Sequence, residues 1–337
     1  MIPMLFSLCG QAQGAAAATA LEAAASASSA SSATAPVIPR ARERRVLAES
    51  LQELLWRLLI DLPRIMGAEP QAQVLAVLRK QLVACMALQQ ESDWQKAISA
   101  LEAETAAALL GAPDIRIDVA DSAASVIATL QAAAAQTARL LAGCWQKDGN
   151  TLRSTTALLP NFERDEILAD IFPCLDGNSS FAQTPTWHSQ PAETGSLARM
   201  KDVPAITQLL QTRGPCVATR LIARLAEISE LFSRLRAPDV PEDSFVQGAP
   251  LGDNTGAAWV QNARGLLLHR VVLDKQGVIA DYSLVAPTEW NFHPNGACAM
   301  GLSAMAATSQ EEARKQAELL VHSLDPCVAY EIEVHHA

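Results

Sequence analysis

Seven cysteines stand at positions 9, 85, 144, 174, 216, 298 and 327 of this 337-residue chain, each alone, with no Cys-x-x-Cys pair and an odd total. A thiolate is a soft metal ligand or a nucleophile, but an unpaired cysteine is also among the residue types most often buried as a small hydrophobe. The scatter argues against a disulfide framework and suits a reducing compartment, where thiols stay free as ligands. Cys327 has the more informative position. Residues 310–323 carry Ala313, Ala317, Leu320 and Val321 at helical spacing, and Pro326, lacking an N–H, cannot continue that helix. Cys327 is therefore expected just past a helix end, where its type alone reads as packing.

Two hydrogen-bond donors come next. The apolar runs 265–273 and 278–285 flank Asp274-Lys275-Gln276-Gly277, the pattern of a β-hairpin. Arg264 stands at its entrance and Thr288 follows its second strand, so the two can approach each other across the hairpin base. A guanidinium and a hydroxyl are good donors to an anion. His269, inside the hairpin, reads as a packed or hydrogen-bonded histidine. Cys216 reads as packing, and so does Cys298 among small residues, although it is the outside candidate for a third thiol ligand. Glu193-Thr194-Gly195 bends the backbone at glycine and offers a carboxylate and a hydroxyl to cap a helix or satisfy buried amides. Asp165, Glu166 and Asp170 read as surface charge, and the adjacent His335 and His336 as exposed.

The elements that must position these groups are mostly helical. Half of the residues are apolar and only 4% aromatic, and alanine is abundant, which favours close-packed helices. Helices are expected at 11–25, 42–60, 71–89, 93–110, 122–145 and 218–235. In 42–60, Leu47, Leu51, Leu54, Leu55 and Leu58 line one face opposite Arg45, Glu49 and Glu53. Residues 26–40, rich in Ser and Ala and then Pro, read as a loop or linker. The alternation in 114–119 reads as a half-buried strand, and 147–150 and 176–180 as loops. The fold class expected is α+β, mainly α: a helical bundle with small β-hairpin elements, one domain over 1–337.

A net charge of −10 argues against nucleic-acid or anionic-membrane partners. No apolar run approaches the ~20 residues a bilayer span needs. The apolar start lacks the basic region of a secretion signal, and bulky Leu8 before Cys9 does not suit a lipoprotein. A cytoplasmic location is expected.

In order along the chain, Pro191-Ala-Glu-Thr-Gly-Ser-Leu-Ala-Arg199, Ala263-Arg-Gly-Leu-Leu-Leu-His269, Ala286-Pro-Thr-Glu-Trp-Asn-Phe-His-Pro-Asn295 and Asp325-Pro-Cys327 resemble segments of nickel-iron hydrogenase large subunits. Leu8-Cys-Gly-Gln-Ala12 resembles that family's N-terminal Arg-x-Cys-Gly-x-Cys motif. The resemblance is good from about Pro191, best over 250–337, and thin before that. The family's second cysteine of each pair, which bridges nickel and iron, is replaced by Ala12 and Tyr330, and its final histidine by Glu333. Neither alanine nor tyrosine supplies a soft sulfur bridge. Nickel is therefore not expected, and no catalytic role is expected.

The phrase Pro287-Thr-Glu-Trp-Asn-Phe-His-Pro294 is typical of the non-catalytic relatives, the HupK/HoxV-type hydrogenase maturation proteins. The resemblance implies an accessory scaffold on which an Fe(CN)2(CO) group is assembled, or held transiently before transfer to the large subunit. Cys9 and Cys327 would hold iron, and Arg264 and Thr288 would hydrogen-bond the cyanides. Partners would be maturation proteins and the large-subunit precursor. Gln261 and Ala263 replace the family's Glu and Pro before Arg-Gly, which touches proton handling rather than cyanide recognition. His293 belongs to the maturation-type phrase without an assigned role. The family has sequence before its first cysteine motif, so a truncated or short N-terminus is expected. With four residues after Glu333, the processing that follows nickel insertion in large subunits is not expected. Two rivals stay open: a metal-free interaction module of the maturation complex, and a divergent catalytic large subunit that binds nickel.

Overall fold

The computed structural model describes residues 9–27, 35–114, 121–147, 154–177 and 179–335. Its first element is the alanine helix α1 (Gly10–Ala27). After the linker, most of which lies outside the described residues, comes α2 (Arg40–Trp56), whose Val46, Leu47, Leu51, Leu54 and Leu55 are buried. The helix does not end where its periodicity does. It widens into a π-helical turn (Arg57–Asp61) and runs on as α3 (Leu62–Met66), closed by Gly67 at φ 74°. A π-turn inside a helix often marks a functional position, and this one presents Arg57.

Helices α4 (Ala72–Met86) and α5 (Glu91–Leu110) follow as expected. The single helix expected over 122–145 is two, α6 (Ala123–Ala132) and α7 (Gln136–Lys147). Ala133 is extended, and the break packs on Gly111, where an added Cβ would lie 3.2 Å from the Ala135 amide nitrogen. The strand expected over 114–119 lies outside the described residues but for Asp114, which is in a turn.

A short parallel pair, β1 (Ala157–Leu158) with β2 (Ala192–Glu193), encloses α8 (Arg164–Asp170), a 3-10 turn (Phe172–Leu175) and α9 (Ser179–Gln183). Then come α10 (Ser196–Met200), α11 (Pro204–Arg213) and the buried central helix α12 (Val217–Arg236).

The expected hairpin is present as β5 (Gly265–Leu273) and β6 (Ile279–Val285), but it is half of a four-stranded antiparallel sheet. β3 (Val246–Gly252) and β4 (Thr255–Asn262) complete it in the order β3-β4-β5-β6. The middle strands β4 and β5 are buried on both faces. Ala258, Val260, Leu267 and Val271 join the large core with α1, while Ala257, Trp259, Leu266 and Leu268 join a second core with Phe172 and Trp290, the period-two alternation of a strand. Helix α1 lies against β3, β4 and β5. Its approach requires glycine: a Cβ on Gly256 would meet the Ala20 carbonyl oxygen at 2.1 Å, and one on Gly248 the Thr19 methyl at 2.5 Å.

The chain closes with α13 (Pro287–Asn291), α14 (Ala297–Ser303) and α15 (Gln310–Leu324). Among the described residues no helix is long and apolar enough to cross a membrane.

Candidate functional site

Two chain ends and a hairpin turn meet. Cys9 caps α1 from a left-handed backbone (φ 60°), with its carbonyl accepting from Gln13 N–H at 2.9 Å. The carboxylate of Glu49 on α2 accepts from the Gln11 and Ala12 amides at 2.8 and 2.9 Å, satisfying donors that a helix start leaves open. Cys327 arrives from the other end. Asp325 terminates α15 at φ 55°, a region that Asp tolerates better than most side chains. Cys327 N–H then donates to Thr288 Oγ1 at 3.1 Å.

Arg264, 1% exposed in the β4–β5 turn, joins the ends. Its Nη1 donates to Cys9 Sγ at 2.9 Å, its Nη2 to Glu53 at 2.9 Å, and its Nε lies 3.4 Å from Asp325. The four residues singled out from sequence, Cys9, Arg264, Thr288 and Cys327, thus sit in one cluster. Thr288 reaches it beside Cys327, and Arg264 donates from both Nη atoms while its buried Nε, close to Asp325, makes no hydrogen bond.

The two thiols are unequal. Cys9 is buried and Cys327 half-buried. The hydrogen bond from the Cys9 thiol, with help from Arg264 and Thr288 and against burial, brings Cys327 down to about 7. The same bond and burial push Cys9 well above the usual thiol range, despite the guanidinium beside it. The proton therefore stays on Cys9 while Cys327 carries the thiolate character.

A charge network that periodicity did not reveal holds this cluster. Asp325 accepts from Arg57 Nε at 2.7 Å, and Arg224 stands 4.0 Å away. These guanidiniums and Arg264 keep its carboxyl below the usual range against the penalty of burial. Arg57 is also paired with Asp61 at 2.6 Å. Glu49, Glu53 and Arg57 recur every fourth residue along α2 and its π-turn, a charged stripe visible in the sequence. The expected polar face is thus partly a site face. Asn291, from the Pro-Thr-Glu-Trp-Asn phrase, accepts from Thr194 N–H at 2.9 Å and donates to the Leu324 carbonyl at 3.1 Å, fixing the hairpin base to the end of α15.

The other expected residues have structural partners. Thr194 accepts from the Leu266 amide at 2.9 Å, but Glu193 caps no helix: it makes a buried two-pronged pair with Arg220 at 2.8 and 2.9 Å. His269 is fully buried between Tyr282 and Gln13, at 2.5 and 3.0 Å. His293 accepts from the Asn295 amide at 3.1 Å. Cys216 contacts Thr219 at 3.2 Å. Cys298 is buried on α14, and among the described residues no group of three His, Cys, Asp or Glu is arranged to hold a metal. Ala12 is wholly buried and Tyr330 is 45% exposed.

Residues 207–335 match the sequence profile of the nickel-dependent hydrogenase family. The chain is also 31% identical over 349 residues to the hydrogenase expression/formation protein HoxV of Cupriavidus necator, covering 99% of this chain and 86% of HoxV. It belongs to the HoxV/HupK family of hydrogenase expression/formation proteins. HupK of Bradyrhizobium diazoefficiens is likewise 31% identical, over 353 residues, 100% of this chain and 86% of that protein.

The large-subunit fold is shared as well. An NAD+-reducing [NiFe]-hydrogenase structure aligns with 97% of this chain and 86% of its own, at a TM-score of 0.50 and 16% identity. The HoxV/HupK relatives are named as expression/formation proteins rather than as catalytic subunits. In this member, the large-subunit fold carries a two-thiol cluster with alanine and tyrosine at the positions of the second cysteines.

Proposed function

We propose that this protein is a maturation scaffold that holds an Fe(CN)2(CO) fragment, as cargo, between Cys9 and Cys327 and releases it to the hydrogenase large-subunit precursor. The observation that carries the reading is the meeting of two thiols from opposite chain ends with one guanidinium and one hydroxyl. Thiolates suit iron. Arg264 and Thr288 are donors of the kind that cyanide nitrogens accept, and charge assistance strengthens the guanidinium's bonds. Two sulfur donors are too few to build a bimetallic site but enough to grip a fragment that brings its own diatomic ligands. The thiolate end, Cys327, is the more open, so cargo enters and leaves there. No turnover is required. Other maturation proteins deliver the fragment, and the exchange takes place in the cytoplasm.

One observation favours a metal-free interaction module instead: the thiols are already satisfied by each other, by Arg264 and by Thr288. Infrared spectroscopy and iron analysis decide between the two, on protein purified anaerobically from cells assembling hydrogenase. The scaffold requires cyanide and carbonyl bands with bound iron, lost in Cys9→Ala and Cys327→Ala variants that remain folded. Absence of bands and iron from wild-type protein that still captures its partners would replace the scaffold with the module.

A further inference from the structure

Outside the thiol cluster, a cavity of about 810 Å³ opens between α8, the end of α12, the 242–245 segment and the sheet. Its size is that of a ligand site, and its polar groups divide in a way that selects an occupant. Hydrogen-bond donors line the inner wall. Trp259 gives this wall part of its ring, while its Nε1 is covered within the fold. Gln261 Oε1 is committed to Arg199 Nη1 at 3.1 Å, so its amide nitrogen is the end left over. The Arg199 charge is already matched by buried Glu227, at 2.6 Å. Arg164 gives one N–H to the Gly248 carbonyl at 3.0 Å.

Carboxylates form the rim. Glu163, Glu230, Glu242 and Asp243 all border the cavity. Arg234 takes up Glu230 and Asp243 at 2.7 and 2.5 Å, which leaves Glu163 and Glu242 without an ion-pair partner among the described residues. Phe162 and Phe245 supply apolar wall between rim and floor. An anionic ligand would meet these acids and the overall charge of −10 before it reached the donors. A neutral apolar ligand would leave the Gln261 amide and the remaining Arg164 N–H groups unpaired.

We infer that this cavity docks an extended basic peptide segment of a partner protein, its backbone carbonyls accepting from Gln261 and from the N–H groups that Arg164 has left, and its Lys or Arg side chains meeting Glu163 and Glu242. An extended chain offers carbonyl acceptors at each residue, and rim charges set partner choice and encounter rate. The site needs no iron, so it stands or falls separately from the scaffold reading.

The test uses two acetylated, amidated probes, Gly-Lys-Gly-Lys-Gly and Gly-Glu-Gly-Glu-Gly, titrated calorimetrically into the full chain at about 0.1 M salt, near a Debye length of 10 Å. The expected result is one-to-one binding of the lysine peptide, at least tenfold tighter than the glutamate peptide. It should weaken at least tenfold in Glu163→Gln/Glu242→Gln, and severalfold in Gln261→Met, which keeps the length of the side chain and removes the amide donor. A Glu311→Gln/Glu331→Gln control, altering exposed acids elsewhere, should bind like wild type. The proposal is overturned if the lysine peptide does not bind, or if the control pair weakens binding as much as the rim pair. Unchanged binding in Glu163→Gln/Glu242→Gln would overturn it equally.

Discussion

At the scale of single residues, the division of labour between the thiols makes a sharp expectation. Cys327 owes its low value first to the Cys9 hydrogen bond, then to Arg264 and Thr288. The thiolate is the nucleophile, so alkylation of Cys327 by iodoacetamide should rise with pH about a midpoint near 7, while buried Cys9 reacts far more slowly. Replacing Cys9 by alanine removes the first of those supports, and the midpoint should move upward. Mass spectrometry of peptides from protein labelled across pH 5.5–9 reads both. A midpoint unchanged in Cys9→Ala would show that the pair does not share a proton.

Sequence reasoning found these thiols, with Arg264 and Thr288, because segments around them carry a family resemblance. It did not find Asp325, Arg57 and Glu53 as a network, because apolar periodicity treats any charge on a helix as facing water. The four-residue recurrence of Glu49, Glu53 and Arg57 was the available signal.

At the scale of elements, helices with clear apolar stripes were legible, and the sheet was half legible for a physical reason. β3 and β4 contain glycine and alanine where strands usually carry branched side chains, because α1 presses against them at Gly248 and Gly256. Small residues there are the imprint of a helix more than 200 positions earlier in the chain. Alanine runs hide helix breaks for a related reason: they give periodicity no phase, so the interruption after Ala132 left no mark.

The close approach predicts that Gly256→Ala, though the smallest change available, forces α1 off β4, since the added carbon would stand 2.1 Å from a backbone oxygen that cannot swing aside. Overpacking of this kind typically costs about 1–3 kcal/mol. Because α1 begins at Cys9, the same change should make Cys9 reactive to iodoacetamide in protein that still unfolds cooperatively. Protection retained at wild-type stability would show that helix and sheet have room to spare.

The join between α1 and the sheet also carries a pH dependence. His269 bonds Gln13 on α1 and Tyr282 on β6, and burial lowers its value from 6.5 to about 4. Gln13 Oε1 accepts only, so His269 Nε2 holds the proton and the neutral ring accepts from the Tyr282 hydroxyl. The sign follows from linkage. The unfolded chain takes up the proton first, near pH 6.5, so stability is intact above that value and falls as pH drops through 6.5 toward 4. The limiting slope is about 1.4 kcal/mol per pH unit for one proton. His322, buried beside Arg224 and lowered by burial and that charge, acts in the same direction. Denaturant unfolding between pH 4.5 and 7 should therefore show a slope that becomes shallower in His269→Gln, and an unaltered slope would assign the acid sensitivity to other groups.

At the scale of the whole molecule, the cluster forms only when residues 9, 264 and 327 are brought together, so site formation and global folding are one event. Asp325 is the clearest handle on that coupling. It is 4% exposed and shared by Arg57, Arg264 and Arg224. Of these, Arg57 and Arg264 have a second carboxylate, Asp61 and Glu53, while Arg224 otherwise donates to the carbonyls of His322 and Ser323. Asp325→Asn keeps the shape and removes the charge, leaving buried guanidiniums short of a counter-ion, a defect typically worth about 3–5 kcal/mol.

Thr288→Val removes one hydroxyl at a half-buried position and should cost only about 1 kcal/mol, yet it strips Cys327 of a hydrogen-bond partner. The two variants separate fold from function. Under the scaffold reading, Asp325→Asn should lower the unfolding midpoint sharply and yield little folded protein to load, whereas Thr288→Val should fold normally and retain less iron. Parallel urea titrations and iron analyses make the comparison. Full iron retention in Thr288→Val would remove that hydroxyl from the cargo's contacts, leaving Arg264 as its donor.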